Sequence, residues 1–211
     1  MASLDDDDAE VIDVFDDDED DDDRIPDDYD DLDDDDDEED DDYDDDDDDD
    51  YEDATVEEID FVIALYREDG TPVATRLAPS LANDLDELID QLRRLPGDAG
   101  ALGLVSVAQE FFVACRVRGR NVQVLLNDSA ASADWPIARD VADYLGLDVP
   151  ETEDDSEVWG DAEMLIDQGV SELDLEAIAS DPDEDSDELV RQLARKMNFG
   201  APFDRAVAAR A

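Results

Sequence analysis

Phe111-Phe112-Val113-Ala114-Cys115-Arg116-Val117-Arg118-Gly119-Arg120-Asn121-Val122-Gln123-Val124-Leu125-Leu126 reads as two β-strands joined at Gly119-Arg120. Successive strand side chains point to opposite faces, and a two-residue turn sets which residues stand opposite one another. Val117 then faces Val122, Cys115 faces Val124 and Val113 faces Leu126. Six apolar side chains fall on one face, so Cys115 is expected to be a small buried hydrophobe rather than a reactive thiol.

Upstream, Phe61, Ile63 and Leu65 alternate with Val62, Ala64 and Tyr66, apolar on both sides as in a central strand. Asp69-Gly70 marks a turn, and Val73 to Leu77 returns, with Pro72 placing that strand at an edge. Leu81, Leu85, Leu88, Leu92 and Leu95 then follow helical spacing behind Ser80 as the expected cap, and Pro96-Gly97 ends the helix. Leu102 to Ala108 supplies a further strand ahead of the hairpin. A second helix opens at Asp134-Trp135-Pro136, shows Ile137, Val141, Tyr144 and Leu145 on one face, and closes at Gly146. The order ββαβββα predicts an α+β core over residues 54–147: an antiparallel sheet of about five strands with helices on one face.

Residues 148–158 read as an acidic linker, and residues 159–211 as a small C-terminal helical region. Three helices are expected there: Asp161 to Gln168, Ser171 to Ala179 with Ser171 and Asp174 as a capping pair, and Asp185 to Met197 with Asp185 and Glu188 as its cap. Asn198-Phe199-Gly200 stops the last of them. Whether this region docks on the core or stands apart is open from sequence. Trp135 and Trp159 read as packing anchors.

Residues 1–53 hold 37 of the 71 acidic residues against one base, Arg24. Aspartate is a poor helix former and like charges oppose compaction, so this segment is expected to be a disordered polyanionic tail. Val11, Ile12, Val14 and Phe15 form an apolar cluster within it, either a docking motif for a groove with a basic rim or an unselected remnant. An EF-hand is not expected, because its sharp turn needs a glycine and none precedes Gly70.

Histidine is absent and Cys115 is the single cysteine, which removes Ser-His and Cys-His nucleophiles and the common zinc sets. A carboxylate acid–base pair needs one carboxyl raised by burial, whereas these acids fall on polar faces, caps and linkers. Gly97, Gly100 and Gly103 lack phosphate-loop spacing. The expectation is a protein that is not an enzyme and takes no cofactor. Arg116 and Arg118 share a strand face beside Arg120 in the turn, which offers an anion site or simply a solvated face. With a net charge of −57, direct nucleic-acid binding is not expected, and a basic protein surface is the expected partner. The N-terminus lacks a signal-peptide pattern and no apolar run spans a bilayer, so a soluble, cytoplasmic chain without membrane association is expected.

The stretches Gly103-Leu104-Val105-Ser106-Val107, Phe111-Phe112-Val113, Val124-Leu125-Leu126-Asn127-Asp128 and Asp134-Trp135-Pro136-Ile137-Ala138-Arg139, with Tyr66-Arg67-Glu68-Asp69-Gly70 and Asn198-Phe199-Gly200, resemble the actinobacterial tRNA adenosine deaminase-associated protein family. The resemblance runs from about Ile59 to Val207. It implies association with the deaminase that converts wobble adenosine to inosine, and transfers no catalytic residue. The chain is not that deaminase, whose zinc site needs His-x-Glu and Pro-Cys-x-x-Cys. The reading that results is a non-catalytic accessory protein for the tRNA adenosine deaminase or another basic RNA-handling protein. The alternative is a free-standing polyanion acting as a nucleic-acid mimic or charge-based chaperone.

Overall fold

The computed structural model describes residues 52–97, 99–152 and 156–209. Among the described residues the strands and α-helices occur in the order β1 (Ile59–Glu68), β2 (Thr71–Arg76), α1 (Leu85–Arg93), β3 (Ala101–Val107), β4 (Phe111–Arg118), β5 (Asn121–Leu126), α2 (Pro136–Leu145), β6 (Trp159–Gly160), α3 (Glu172–Ala179), α4 (Ser186–Lys196) and α5 (Gly200–Ala208). The fold is α+β. All strand pairs are antiparallel, in the order β2-β1-β3-β4-β5-β6, so β2 with Pro72 is an edge as expected.

The hairpin register is the one read from the sequence: Val117 pairs with Val122, Cys115 with Val124 and Val113 with Leu126. These side chains join Val62, Val105 and Phe111 in a core roofed by α1 (Leu85, Leu88, Ile89, Leu92) and α2 (Ile137, Ala138, Val141). Gly103 lets α1 approach closely: a Cβ there would stand 2.9 Å from Leu92 Cδ1.

The opposite face is also covered. Phe61, Ile63, Leu65, Leu104, Phe112 and Leu125 form a second core with Leu175, Leu189, Val190, Leu193, Met197 and Phe203 of α3, α4 and α5. Helices therefore lie on both sides of the sheet rather than on the one face expected, and the C-terminal helices are docked. Strands that are apolar on both faces, such as β1 with Phe61 and Val62 each 1% exposed, leave no face for water.

Several local expectations are corrected. The sheet has six strands rather than five, the sixth being the first two residues of the region expected to be helical. Ser80 lies inside a 3-10 turn, Pro79–Ala82, and the cap of α1 is Asp84, extended at φ −150° and accepting from the Glu87 N–H at 2.7 Å. Between Asp161 and Gln168 only a 3-10 turn, Ile166–Gln168, forms before Gly169 at φ 87°. Asn198, at φ 65°, does stop α4, but the chain re-enters a helix at once and α5 follows. Ser171 caps α3 as expected, its Oγ accepting from the Asp174 N–H at 3.2 Å. Asp185 precedes α4 without a side-chain cap bond, and Glu188 instead pairs with Arg191 and Arg195.

Candidate functional site

The three arginines singled out as an anion site stand in three environments. Arg116 is buried, 3% exposed, beneath the C-terminal layer. Its Nη1 donates to the Met164 carbonyl and to Asp167 Oδ1, and its Nη2 donates to Asp167 Oδ2 at 2.6 Å. Arg118, on the same face and exposed, has Nη1 3.7 Å from Asp167 Oδ2. Arg120 is exposed in the turn. The anion held by Arg116 and approached by Arg118 is thus the chain's own Asp167. Hydrogen bonding from Arg116 holds that carboxyl at about 2, below its ordinary value. Nothing in the strand pattern marks Asp167 as the partner, because 51 residues separate the two. Val11, Ile12, Val14 and Phe15 lie outside the described residues.

Other polar groups in the core also serve internal joints. Asp60 Oδ2 accepts from Ser106 Oγ and from the Gln109 N–H, both at 2.8 Å, and Ser106 shares a 2.8 Å hydrogen bond with Ser186. Both serines are fully enclosed, so this Asp-Ser-Ser chain pins the start of α4 to β3 rather than facing a substrate. Arg67 donates to the Met197 carbonyl at 3.0 Å and lies 4.8 Å over the Phe199 ring, fastening the end of α4 to β1. Burial pushes the Asp140 carboxyl upward, and Asp84, Asp143 and Asp86 push the same way. This is the raised carboxyl that acid–base work would require, yet its Oδ2 accepts from the Leu85 N–H at 2.9 Å and closes the first turn of α1. Burial raises the Cys115 thiol to about 12, so it stays protonated at neutral pH.

Two outward clefts carry arginines and no carboxylate, Arg93 with Arg118 in one and Arg76 with Arg205 in the other, and two more are acidic. One of about 540 Å³ lies between the β3–β4 turn and the start of α4 and carries Glu110, Asp128, Glu157, Asp181, Glu184 and Asp185. Among the described residues, no group of three or more His, Cys, Asp or Glu side chains is arranged to hold a metal ion. No helix among them is long and apolar enough to cross a membrane.

Residues 60–200 match the model of the Rv3753c-like tRNA adenosine deaminase-associated protein family. The chain belongs to that family. One relative, Protein Rv3753c of Mycobacterium tuberculosis, is 32% identical over 142 residues, covering 66% of this chain and 82% of the relative. No solved structure matches. The family segment begins within β1 and ends at the first residue of α5, so it takes in the sheet and helices from both of its faces. The resemblance read from the sequence had nearly the same bounds. The aspartate-rich residues 1–53 lie outside the family segment.

Proposed function

We propose that this chain is a non-catalytic accessory protein that binds a basic partner: the tRNA adenosine deaminase of its family's description, or another RNA-handling protein. The observation that carries this reading is the disposition of charge. Arg116 is turned inward to Asp167, while carboxylates with no ion-pair partner among the described residues line two of the outward clefts. With a net charge of −57, such a surface attracts cationic partners over long range and speeds their encounter. The non-catalytic part of the reading is supported by the absence of histidine and by a single cysteine that is buried and protonated.

The test is titration of the full-length protein into the recombinant tRNA adenosine deaminase of the source organism, with binding and tRNA deamination followed together. Saturable binding that weakens steeply with salt is expected, with an altered KM for tRNA and little change in kcat if the acidic segment competes for the RNA groove. Binding to neither this enzyme nor any other basic RNA-handling protein that co-purifies from the native cell removes the proposal. The tail's own charge favours the second reading, a free-standing polyanion. Scrambling residues 1–53 at constant charge separates the two: loss of potency points to docking by Val11, Ile12, Val14 and Phe15, whereas pure charge mimicry predicts no loss.

A further inference from the structure

The outer side of β5 opens onto a groove of about 840 Å³. Only Leu125 and Leu126 of β5 pair with β6, so residues 121–124 lack a neighbouring strand on that side. One wall is the end of α2, where Tyr144 and Leu147 remain 48% and 41% exposed. The opposite wall carries Glu172 and Glu176, one turn apart on α3, together with Asp161 and Glu163. None of these four carboxylates has an ion-pair partner among the described residues, and no arginine or lysine lines the groove. Leu173, beside Glu172 and 76% exposed, adds apolar surface to the same helix.

A large apolar side chain left in water beside unpaired acids is a poor arrangement for a free surface and a good one for an interface. We propose that this groove is the docking site for a basic amphipathic segment of the partner protein, with apolar side chains covering Tyr144 and Leu147 and arginines or lysines meeting Glu163, Glu172 and Glu176. The inference rests on the accessory reading above and adds to it where the partner is held. The occupant is recognised through side chains rather than by strand addition, because the outward carbonyls of Val122 and Val124 already accept from Tyr144 Oη (3.2 Å) and the Asp161 N–H (2.9 Å). Charge complementarity selects this occupant: four carboxylates would repel an acidic peptide or a nucleic acid.

The experiment uses the full-length chain, the deaminase, and two variants at exposed positions that should fold normally: Tyr144→Ser with Leu147→Ser, and Glu163→Gln with Glu172→Gln and Glu176→Gln. Binding is measured at physiological salt, and hydrogen exchange locates the contact. Each variant is expected to weaken binding by about tenfold or more. Bound deaminase should slow exchange at residues 121–124, 144–147 and 172–176. If the wild-type chain binds but folded variants bind equally and protection falls elsewhere, the groove is not the site and the accessory function stands. If the deaminase does not bind, that choice of partner fails separately, and a short synthetic peptide alternating leucine and arginine decides the groove. Protection of the same segments that is lost in the Tyr144/Leu147 variant upholds it; no protection there overturns it.

Discussion

Arg116 and Asp167 form a two-pronged ion pair that joins the middle of β4 to the 3-10 turn before α3, with a 2.6 Å bond on the Nη2 side. The two ends differ: the arginine side chain is 3% exposed and the aspartate 45%. Removing one partner should therefore not equal removing the other. Asp167→Ala leaves a buried cation with only the Met164 carbonyl, at a cost of about 1–3 kcal/mol. Arg116→Met replaces the buried charge with an apolar chain and returns Asp167 to water, so it should cost less. Urea unfolding of both variants checks the order.

Acid should loosen the same joint. The folded-state pKa of Asp167 is depressed to about 2 from an ordinary 3.8, so its contribution is present above pH 4 and is lost as pH falls through 2. Solvent screening of the half-exposed carboxyl keeps the effect small. Asp140 works in the opposite direction. Its raised pKa means that the folded state favours the protonated form, so its charge opposes folding once pH rises through that value. Asp140→Asn, which can still accept from the Leu85 N–H, should leave stability at pH 7 unchanged or slightly higher and flatten the pH dependence on the acid side. Thermal melts from about pH 1.5 to pH 7 would follow both carboxyls.

The β3–β4 turn carries strain that can be relieved. Ala108 and Gln109 sit at φ 53° and 61°, with the Glu110 N–H closing on the Val107 carbonyl at 3.0 Å. This left-handed pair suits Asn-Gly, and side chains without that preference lose about 1–2 kcal/mol per residue. Ala108→Asn with Gln109→Gly should raise the denaturation midpoint without changing the slope. The Asp60 contact survives, because it uses the backbone N–H of residue 109.

Two glycines at positive φ should respond unequally. A Cβ on Gly119 meets nothing within 4 Å, whereas one on Gly160 would lie 2.1 Å from the Val124 carbonyl oxygen. Gly119→Ala should cost about 1 kcal/mol for its backbone conformation alone. Gly160→Ala should cost clearly more and free β6 from β5, seen as faster hydrogen exchange at Leu125 and Leu126.

The Cys115 thiol provides a reporter of global unfolding. It is fully enclosed and shifted up to about 12, so a thiol reagent at pH 8 should label the native protein only through unfolding. Labelling that outpaces unfolding would reveal local opening of the β4–β5 hairpin.

Val124→Asp places a charge in the core over Cys115 and should unfold the protein, whereas Arg120→Gln in the exposed turn should not. Arg116 is where the strand pattern and the structure part. Alternation alone makes it the equal of Arg118, on a face that could be wet or anion-binding. What decides its state is a C-terminal layer that brings Asp167 over it, and no local pattern records that.

The sequence by itself determined β1 to β5, the register of the β4–β5 hairpin and the α+β class, because alternation, turn residues and helical spacing act over a few residues. Phe61 and Val62 make both faces of β1 apolar, whereas helices were expected on one face of the sheet only. Only the tertiary structure decided what covered the other face, since docking α3, α4 and α5 depends on apolar faces meeting across more than 100 residues. The same long-range packing turned Arg116 inward to Asp167. It also set Tyr144 and Leu147 in one groove with four carboxylates that have no ion-pair partner among the described residues. Each of those side chains is unremarkable in its own segment, and only the approach of α2 and α3 across the end of β5 makes them one surface.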